Sequence, residues 1–260
     1  MGDQYIEPML FTRLLKTLAP ALNRRLSGRL DGHLSSLCAV CRSWGAQRVC
    51  ADCVQRFAPV LPRCAHCALE VPAGVRVCGA CLKHPPPWHA ALAAVDYVHP
   101  WADLLARFKF NAALDLAPAL VQRLIDAHER DPAAPRPGLL LPMPLSPARL
   151  RERGHNQAWE LARRLAMRLN CEADAQLLLR LRDTPHQTAL AVSAREANVH
   201  GAFAVEPRRL ADVRGRELTL VDDVMTTGAS AAEATRVLLQ AGAARVQVWV
   251  VARTPRPGAV

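Results

Sequence analysis

Thr219-Leu220-Val221-Asp222-Asp223-Val224-Met225-Thr226-Thr227-Gly228-Ala229-Ser230 is the stretch that decides how the chain folds. The run from Leu218 to Val221 predicts a strand, and its lack of strict polar alternation fits one buried on both faces. Asp222 and Asp223 then stand where that strand would emerge at its C-terminal edge, the place where open α/β sheets present ligands. Thr226-Thr227-Gly228-Ala229-Ser230 opens a helix predicted over Ala229 to Gln240 and closed by Gly242. The first N–H groups of a helix lack intrahelical partners and lie at the positive end of its dipole, so an anion fits there. Gly228 lets the backbone approach such an anion closely, and the hydroxyls of Thr226, Thr227 and Ser230 add donors.

Two carboxylates beside an anion cradle oppose it electrostatically unless a neutral polar group lies between. A ribose 5′-phosphate meets both demands. Its 2′- and 3′-hydroxyls donate to Asp222 and Asp223 while its phosphate reaches Thr226 to Ser230. Asp-Asp alone reads more simply as a capped strand-to-helix turn. The full order of strand, acids, Thr-Thr-Gly and helix is what marks a ligand site.

Outward from this loop, Val246 to Val251 reads as the next strand and Leu139-Leu140-Leu141 as an earlier short one ending at Pro142. Ala91 to Val98 reads as another. Helical spacing runs through Leu104, Leu105 and Phe108, again from Leu114 to Ile125, and through Leu161, Ala162, Leu165, Ala166 and Leu169. Asp131 to Gly138, rich in proline, reads as a surface loop. Strands alternating with helices imply a mostly parallel sheet covered on both faces.

Upstream the grammar differs. Eight of the nine cysteines form four Cys-x-x-Cys pairs, Cys38/Cys41, Cys50/Cys53, Cys64/Cys67 and Cys78/Cys81. Moving the first two pairs by 26 to 28 residues lands on the second two, an internal repeat. Two thiolates two residues apart grip one face of a metal ion and a second pair completes a tetrahedron, so eight sulfurs imply two closed Zn2+ sites. Four thiolates leave no open coordination position, which makes these ions structural, each supplying on the order of 10 kcal/mol of folding energy. A disulfide scaffold fits poorly with a chain that carries no secretion signal and continues into an α/β domain. Four regular pairs also argue against a single redox dithiol. Sequential pairing (Cys38, Cys41, Cys50, Cys53; then Cys64, Cys67, Cys78, Cys81) and cross-braced pairing both satisfy the spacing. His66 and His84 read as spectators.

The 260 residues suit one core domain with a smaller accessory unit, and half of them are apolar. The expected organisation is an amphipathic helical segment over 1–30, a double zinc ribbon over 31–84, a Pro85-Pro86-Pro87 linker over 85–90 and the α/β domain over 91–255. The formal net charge of +10 favours an anionic partner, a phosphate ligand or nucleic acid. No segment approaches the roughly 18 to 20 apolar residues a spanning helix needs, so a cytoplasmic protein is expected.

Taken together, these motifs resemble the ComF family, whose Gram-negative members include the GntX-like proteins. The resemblance runs from Cys38 to Arg253. It rests on the paired ribbons, Pro142-Met143-Pro144-Leu145, Arg153-Gly154-His155-Asn156-Gln157, the Gln187, Arg195, Asn198 series and the Asp-Asp-x-x-Thr-Thr-Gly loop. His155 departs from the aromatic usual in the family, and Ser230 replaces a more frequent threonine. The resemblance implies a type I phosphoribosyltransferase-like α/β fold behind the ribbons. It also implies that residues 222–230 bind 5-phosphoribosyl 1-diphosphate (PRPP), with Asp222 and Asp223 on the sugar and Thr226, Thr227, Gly228, Ala229 and Ser230 on its phosphate. Arg149 and Arg153 become candidates for the diphosphate, which such folds hold with Mg2+, because arginine forks onto phosphate oxygens. Lys109, Gln187 and Arg195 are weaker candidates.

The family name further implies a role in natural competence and DNA uptake, with single-stranded DNA or the competence machinery as partner. Aromatic residues for base stacking are scarce at 5%, and Trp44, Trp88 and Trp101 are the ones to consider. If PRPP turns over, the reaction is displacement of pyrophosphate by a nitrogen nucleophile. Related enzymes for 6-oxopurines carry an Asp where this chain has Thr226, which leaves no carboxylate to accept a proton. No catalytic residue is assigned.

Overall fold

The structure, a computed structural model, describes residues 36–131, 135–182 and 200–256. The 1–30 segment and Gln187, Arg195 and Asn198 lie outside the described residues. The chain forms two compact units, one ending at Cys50 and one starting at Ala51.

In the first unit, β1 (Ser36–Leu37) and β2 (Trp44–Gly45) pair antiparallel. The second unit begins with α1 (Ala51–Phe57) and continues through the short helix α2 (Gly79–Lys83). The α/β body follows: β3 (Ala90–Asp96), α3 (Trp101–Phe110), α4 (Ala117–Glu129), β4 (Leu139–Pro142), α5 (Pro147–Arg153) and α6 (Gln157–Leu169). After these come a small antiparallel pair, β5 (Leu178–Arg180) and β6 (Phe203–Val205), and then β7 (Glu217–Met225), α7 (Ala229–Gln240) and β8 (Arg245–Arg253).

The main sheet has the order β3-β8-β7-β4, with every pairing parallel. Residues 172–174 run beside the free edge of β4, where Leu140 N–H donates to Glu172 O at 2.9 Å and Asp174 N–H to Leu140 O at 2.9 Å. Leu218, Leu220, Val246, Val248 and Val250 share one core cluster with Ala231, Ala234 and Leu238 of α7 and with Phe203 and Val205 of β6. On the other face, α4 and α6 pack on the strands and on each other, with the His128 ring of α4 4.8 Å from that of Trp249. Helices thus cover both faces, as the sequence predicts, because alternate residues of each central strand bury apolar side chains in opposite directions. Each fully buried leucine here contributes roughly 2 kcal/mol.

The central strands come so close at their start that Gly138 admits no side chain: a Cβ there would lie 1.9 Å from the Glu217 carbonyl oxygen. Two boundaries differ from expectation. β3 ends at Asp96, short of Val98. β7 continues through Asp222 and Asp223 to Met225, because β8 goes on pairing with it there.

Pro85-Pro86-Pro87 does not isolate what precedes it. Ala91 N–H donates to Ala65 O at 2.8 Å, Arg63 pairs with Asp96 at 2.8 Å, and Arg253 Nε donates to Cys67 O at 2.8 Å. The Cys64–Cys81 segment is therefore built onto the edge of the sheet.

Candidate functional site

The two acids sit where β7 loses one of its neighbours. The β4 ladder ends with Pro142 opposite Val221 and a last bond from Met143 N–H to Val221 O at 2.8 Å. On the other side β8 still pairs Asp222 with Val250 and Met225 with Arg253. One flank of the Asp222–Met225 segment thus extends beyond the end of the β4 ladder. The two carboxylates stand at this overhang within reach of each other and of Lys109, but they are not equally buried.

Their environments differ accordingly. Asp223 is 2% exposed and meets Lys109, from the end of α3. Lys109 Nζ donates to Asp223 Oδ1 at 3.2 Å and lies 2.9 Å from Oδ2. Oδ2 shares the ion pair but receives no aligned hydrogen bond, so a buried acceptor is left for a donor such as a hydroxyl. Asp222 is half-buried, and its Oδ1 accepts the Asp223 backbone N–H at 2.9 Å. Burial, and then the negative charge of Asp223, push the Asp222 carboxyl up to about 8. Burial opposes ionisation of Asp223 too, but the Lys109 ammonium beside it overrides this and holds that carboxyl below the usual range. Lys109 is raised in turn, since Asp223 and Asp222 outweigh its own burial. The pair thus offers one acceptor held charged and one carboxyl biased toward protonation, a combination suited to the hydroxyls of a diol.

Beyond Met225 the backbone turns through Thr226 and Thr227, both exposed, into α7. Gly228 is the N-cap at φ +85°, a left-handed conformation that favours glycine, and it offers no side chain to the first turn. Thr227 Oγ1 accepts the Ala229 N–H at 3.4 Å. Glycine is required here for a second reason that the sequence did not disclose. A Cβ at this position would lie 2.9 Å from the Trp88 ring. The turn is also held by Arg253, whose Nη1 donates to Met225 O at 2.9 Å, to Thr254 O at 3.0 Å and to Thr226 O. Nothing local in the sequence marks Trp88 for this loop, and for Arg253 the one signal is a charged residue closing an apolar strand, which the structure buries to 6% exposure.

The arginine helix follows β4. Ser146 caps α5 by accepting the Arg149 N–H at 3.3 Å, and Gly154 ends it at φ +72°. Asn156 then caps α6, accepting from Ala158 and Trp159, while its Nδ2 donates to Met143 O at 3.2 Å and ties the turn to the end of β4. His155 bridges two segments, with Nδ1 3.0 Å from Arg153 O and Nε2 3.2 Å from Phe108 O. Arg153 donates to Gln157 Oε1 at 3.2 Å, and its guanidinium lies 5.1 Å from the centre of the exposed Phe110 ring. Burial and then neighbouring Arg149 lower its basicity against the pull of Asp223. The acids, Lys109 and Arg153 therefore form one electrostatic cluster, with Arg149 beside Arg153.

The eight paired cysteines gather sequentially, not cross-braced. Cys38, Cys41, Cys50 and Cys53 form one set and Cys64, Cys67, Cys78 and Cys81 the other, with the sulfurs of each set within 4.8 Å of one another. A zinc–sulfur bond of about 2.3 Å places tetrahedral sulfurs about 3.8 Å apart. The observed Cys41–Cys50 and Cys67–Cys78 separations are 3.6 and 3.7 Å, so both sets fit the ion. His66 and His84 belong to neither set.

The repeat is also written in the backbone. Cys38 N–H donates to Ser43 O and Ala39 N–H to Arg48 O; Cys64 N–H donates to Leu69 O and Ala65 N–H to Arg76 O. Arg42 and Ala68 take the same left-handed turn, at φ +66° and +56°. In each copy a backbone N–H reaches a sulfur, Cys50 to Cys38 Sγ at 3.4 Å and Cys78 to Cys64 Sγ at 3.3 Å. Burial opposes thiolate formation at Cys38, but bonds from the Cys50, Cys41 and Val40 backbone bring it down to about 6.

Of the three tryptophans considered for base stacking, Trp88 and Trp101 are buried and Trp44 is 74% exposed. A shallow depression of about 400 Å3 lies at the opposite end of the strands from the acids, lined by Gly138, Cys171, Glu172, Arg216 and Glu217 among others, and gathers none of the predicted site residues.

No protein-family model matches the chain. It is similar to the DNA utilization protein YhgH of Salmonella typhi, with 36% identity over 229 residues, covering 84% of this chain and 97% of that protein. The protein of the same name from Escherichia coli K12 is 34% identical over 227 residues, with the same coverage. Competence protein F of Haemophilus influenzae is 32% identical over 209 residues, covering 79% of this chain and 90% of that protein. Among solved structures, the glutamine PRPP amidotransferase of B. subtilis, complexed with ADP and GMP, aligns with 53% of this chain at 17% identity and a TM-score of 0.33. The chain spans a quarter of that protein's length, at 25%. TT1426 from Thermus thermophilus aligns with 56% of this chain and 85% of its own, at 20% identity and a TM-score of 0.30.

Proposed function

Because the chain belongs to the family of the DNA utilization protein YhgH and competence protein F, we propose that it is a PRPP-binding protein serving DNA uptake or utilization. The observation that carries the ligand is the overhang of β7. Two acids of unequal character stand at an open strand end and lead within five residues into a helix N-terminus capped by glycine. The ribose hydroxyls bond Asp222 and Asp223, the latter through its unfilled Oδ2. The 5′-phosphate lies on Thr226, Thr227, Gly228, Ala229 and Ser230, whose first-turn N–H groups and hydroxyls are the donors such an anion needs. The diphosphate extends toward Arg153 and Arg149. Mg2+ brought with the diphosphate would neutralise part of its charge there.

Lys109 holds the charge of Asp223 in check, so the acids do not repel the phosphates at full strength. Thr226 offers no carboxylate to an incoming base, which favours binding over base-exchange chemistry. The thiol-rich metal sites suit a reducing, cytoplasmic setting. No helix among the described residues is long and apolar enough to cross a membrane.

The relatives' names favour a second reading on the same fold, in which PRPP is a cue and single-stranded DNA the working partner. Titration calorimetry with PRPP and Mg2+, wild type against Asp222→Ala/Asp223→Ala, tests the site; equal affinity in both sinks it. Single-strand binding that falls steeply with salt yet survives the double substitution supports the second reading. Pyrophosphate release across a panel of nitrogen acceptors supports turnover instead.

A further inference from the structure

Arg253 closes β8 in a position where a charge is costly. It is 6% exposed, and its hydrogen bonds go to carbonyl oxygens alone: Cys67, Met225, Thr226 and Thr254. Among the described residues no carboxylate pairs with it. A buried guanidinium without a counter-charge is strongly unfavourable. Four thiolates on a divalent ion carry a net charge of about −2 and would supply that counter-charge.

A second link runs alongside the first. Trp88 is 5% exposed and its Nε1 donates to His66 O at 2.5 Å, inside the same cysteine repeat. The far edge of its ring lies under Gly228. The second cysteine cluster is thereby tied to both ends of the Thr226–Gly228 turn, by a guanidinium at the start and an indole at the end.

We infer that the metal centre of Cys64, Cys67, Cys78 and Cys81 sets the shape of the ligand loop, with Arg253 as the positioning residue that transmits it. Occupancy of this centre, and not of the Cys38–Cys53 centre, controls how well residues 226–230 receive a phosphate. The affinity consequence rests on the phosphoribosyl reading above; the effect on loop order does not.

The test uses the full zinc-loaded chain with Arg253→Gln, Arg253→Lys, Cys81→Ser and Cys41→Ser. Amide hydrogen exchange of Met225 to Ser230 is measured without ligand, zinc content by mass spectrometry, and PRPP affinity by calorimetry. Arg253→Gln and Cys81→Ser are expected to speed exchange and weaken PRPP binding about tenfold each. Arg253→Lys keeps the charge but not the forked contacts and falls between. Cys41→Ser loses one zinc and leaves both readouts unchanged. Removing zinc from Arg253→Gln adds less than removing it from the wild type, because only the Trp88 link is left to carry the effect. Unchanged exchange in Arg253→Gln, or an equal effect from Cys41→Ser, overturns the inference. If wild type fails to bind PRPP, the ligand reading falls while the exchange comparison still decides this one. If Cys81→Ser or Arg253→Gln does not fold, Arg253→Lys decides, and wild-type exchange in it counts against the inference.

Discussion

Lys109→Met removes the ammonium bonded to Asp223 while keeping a side chain of similar length. The carboxylate is 2% exposed, so the variant must either bury a charge without its bonded cation or take up a proton. Protonation sets the ceiling. Neutralising an aspartate whose ordinary pKa is near 3.9 costs about 1.4 kcal/mol for each pH unit above that value. The expected loss is therefore about 2 kcal/mol at pH 5.5 and about 5 kcal/mol at pH 7.5, somewhat less where Arg153 shares the burden. The sign follows from the native state. Asp223 is held below its unfolded value in the wild type, so its contribution is present above that value and lost as pH falls. Across pH 5.5 to 7.5 that contribution is constant in the wild type, whereas in the variant burial without the lysine raises the carboxyl above its unfolded value, so each pH unit costs the variant more and the gap widens with pH. Urea unfolding followed by tryptophan fluorescence at pH 5.5, 6.5 and 7.5, with zinc saturating in both proteins, measures it. A pH-independent gap would refute the argument, as would the same loss in an Asp223→Asn background, where no carboxylate remains to be stranded.

Asp222→Asn has the opposite sign. A carboxyl pushed up to about 8 makes the native state lose stability as pH rises from about 4 to 8, by at most about 1.4 kcal/mol per unit. The amide is therefore expected to gain on the wild type toward pH 8 in thermal unfolding, and a constant difference across the range would count against it. Gly228→Ala combines a left-handed backbone with a Cβ 2.9 Å from Trp88 and should cost about 2 to 4 kcal/mol. Trp88→Phe, which lacks the contacting ring atoms, should recover part of that loss; a cost below about 0.5 kcal/mol would show that the turn adapts freely. Thiol titration of the zinc-loaded protein should find one reactive cysteine, Cys171, and all nine after chelation. Nine at the outset would mean that neither cluster holds metal.

The metal clusters and the parallel sheet were legible because both are periodic signals. The 26- to 28-residue repeat of Cys-x-x-Cys spacing survives as matched backbone hydrogen bonds, and apolar runs at strand length became β4, β7 and β8. Sequential ligation was open until the sulfurs were placed, since spacing alone permits either pairing. Lys109 was visible only through family likeness, because its partner stands 114 positions away and nothing local marks it. Trp88 and Arg253 were illegible as loop supports for the same reason: their partners lie in segments that only the tertiary fold brings together. Pro85-Pro86-Pro87 reads as a spacer by composition, yet bonds from Arg63, Ala65 and Cys67 reach past it to the sheet.

Asp222 and Asp223 are the same letter twice, yet the overhang of β7 makes them different reagents. One is sealed against a lysine and the other is half open. Enlargement by one methylene should therefore be tolerated at Asp222, where the carboxyl has room, and resisted at Asp223, where the lysine and the packing fix its reach.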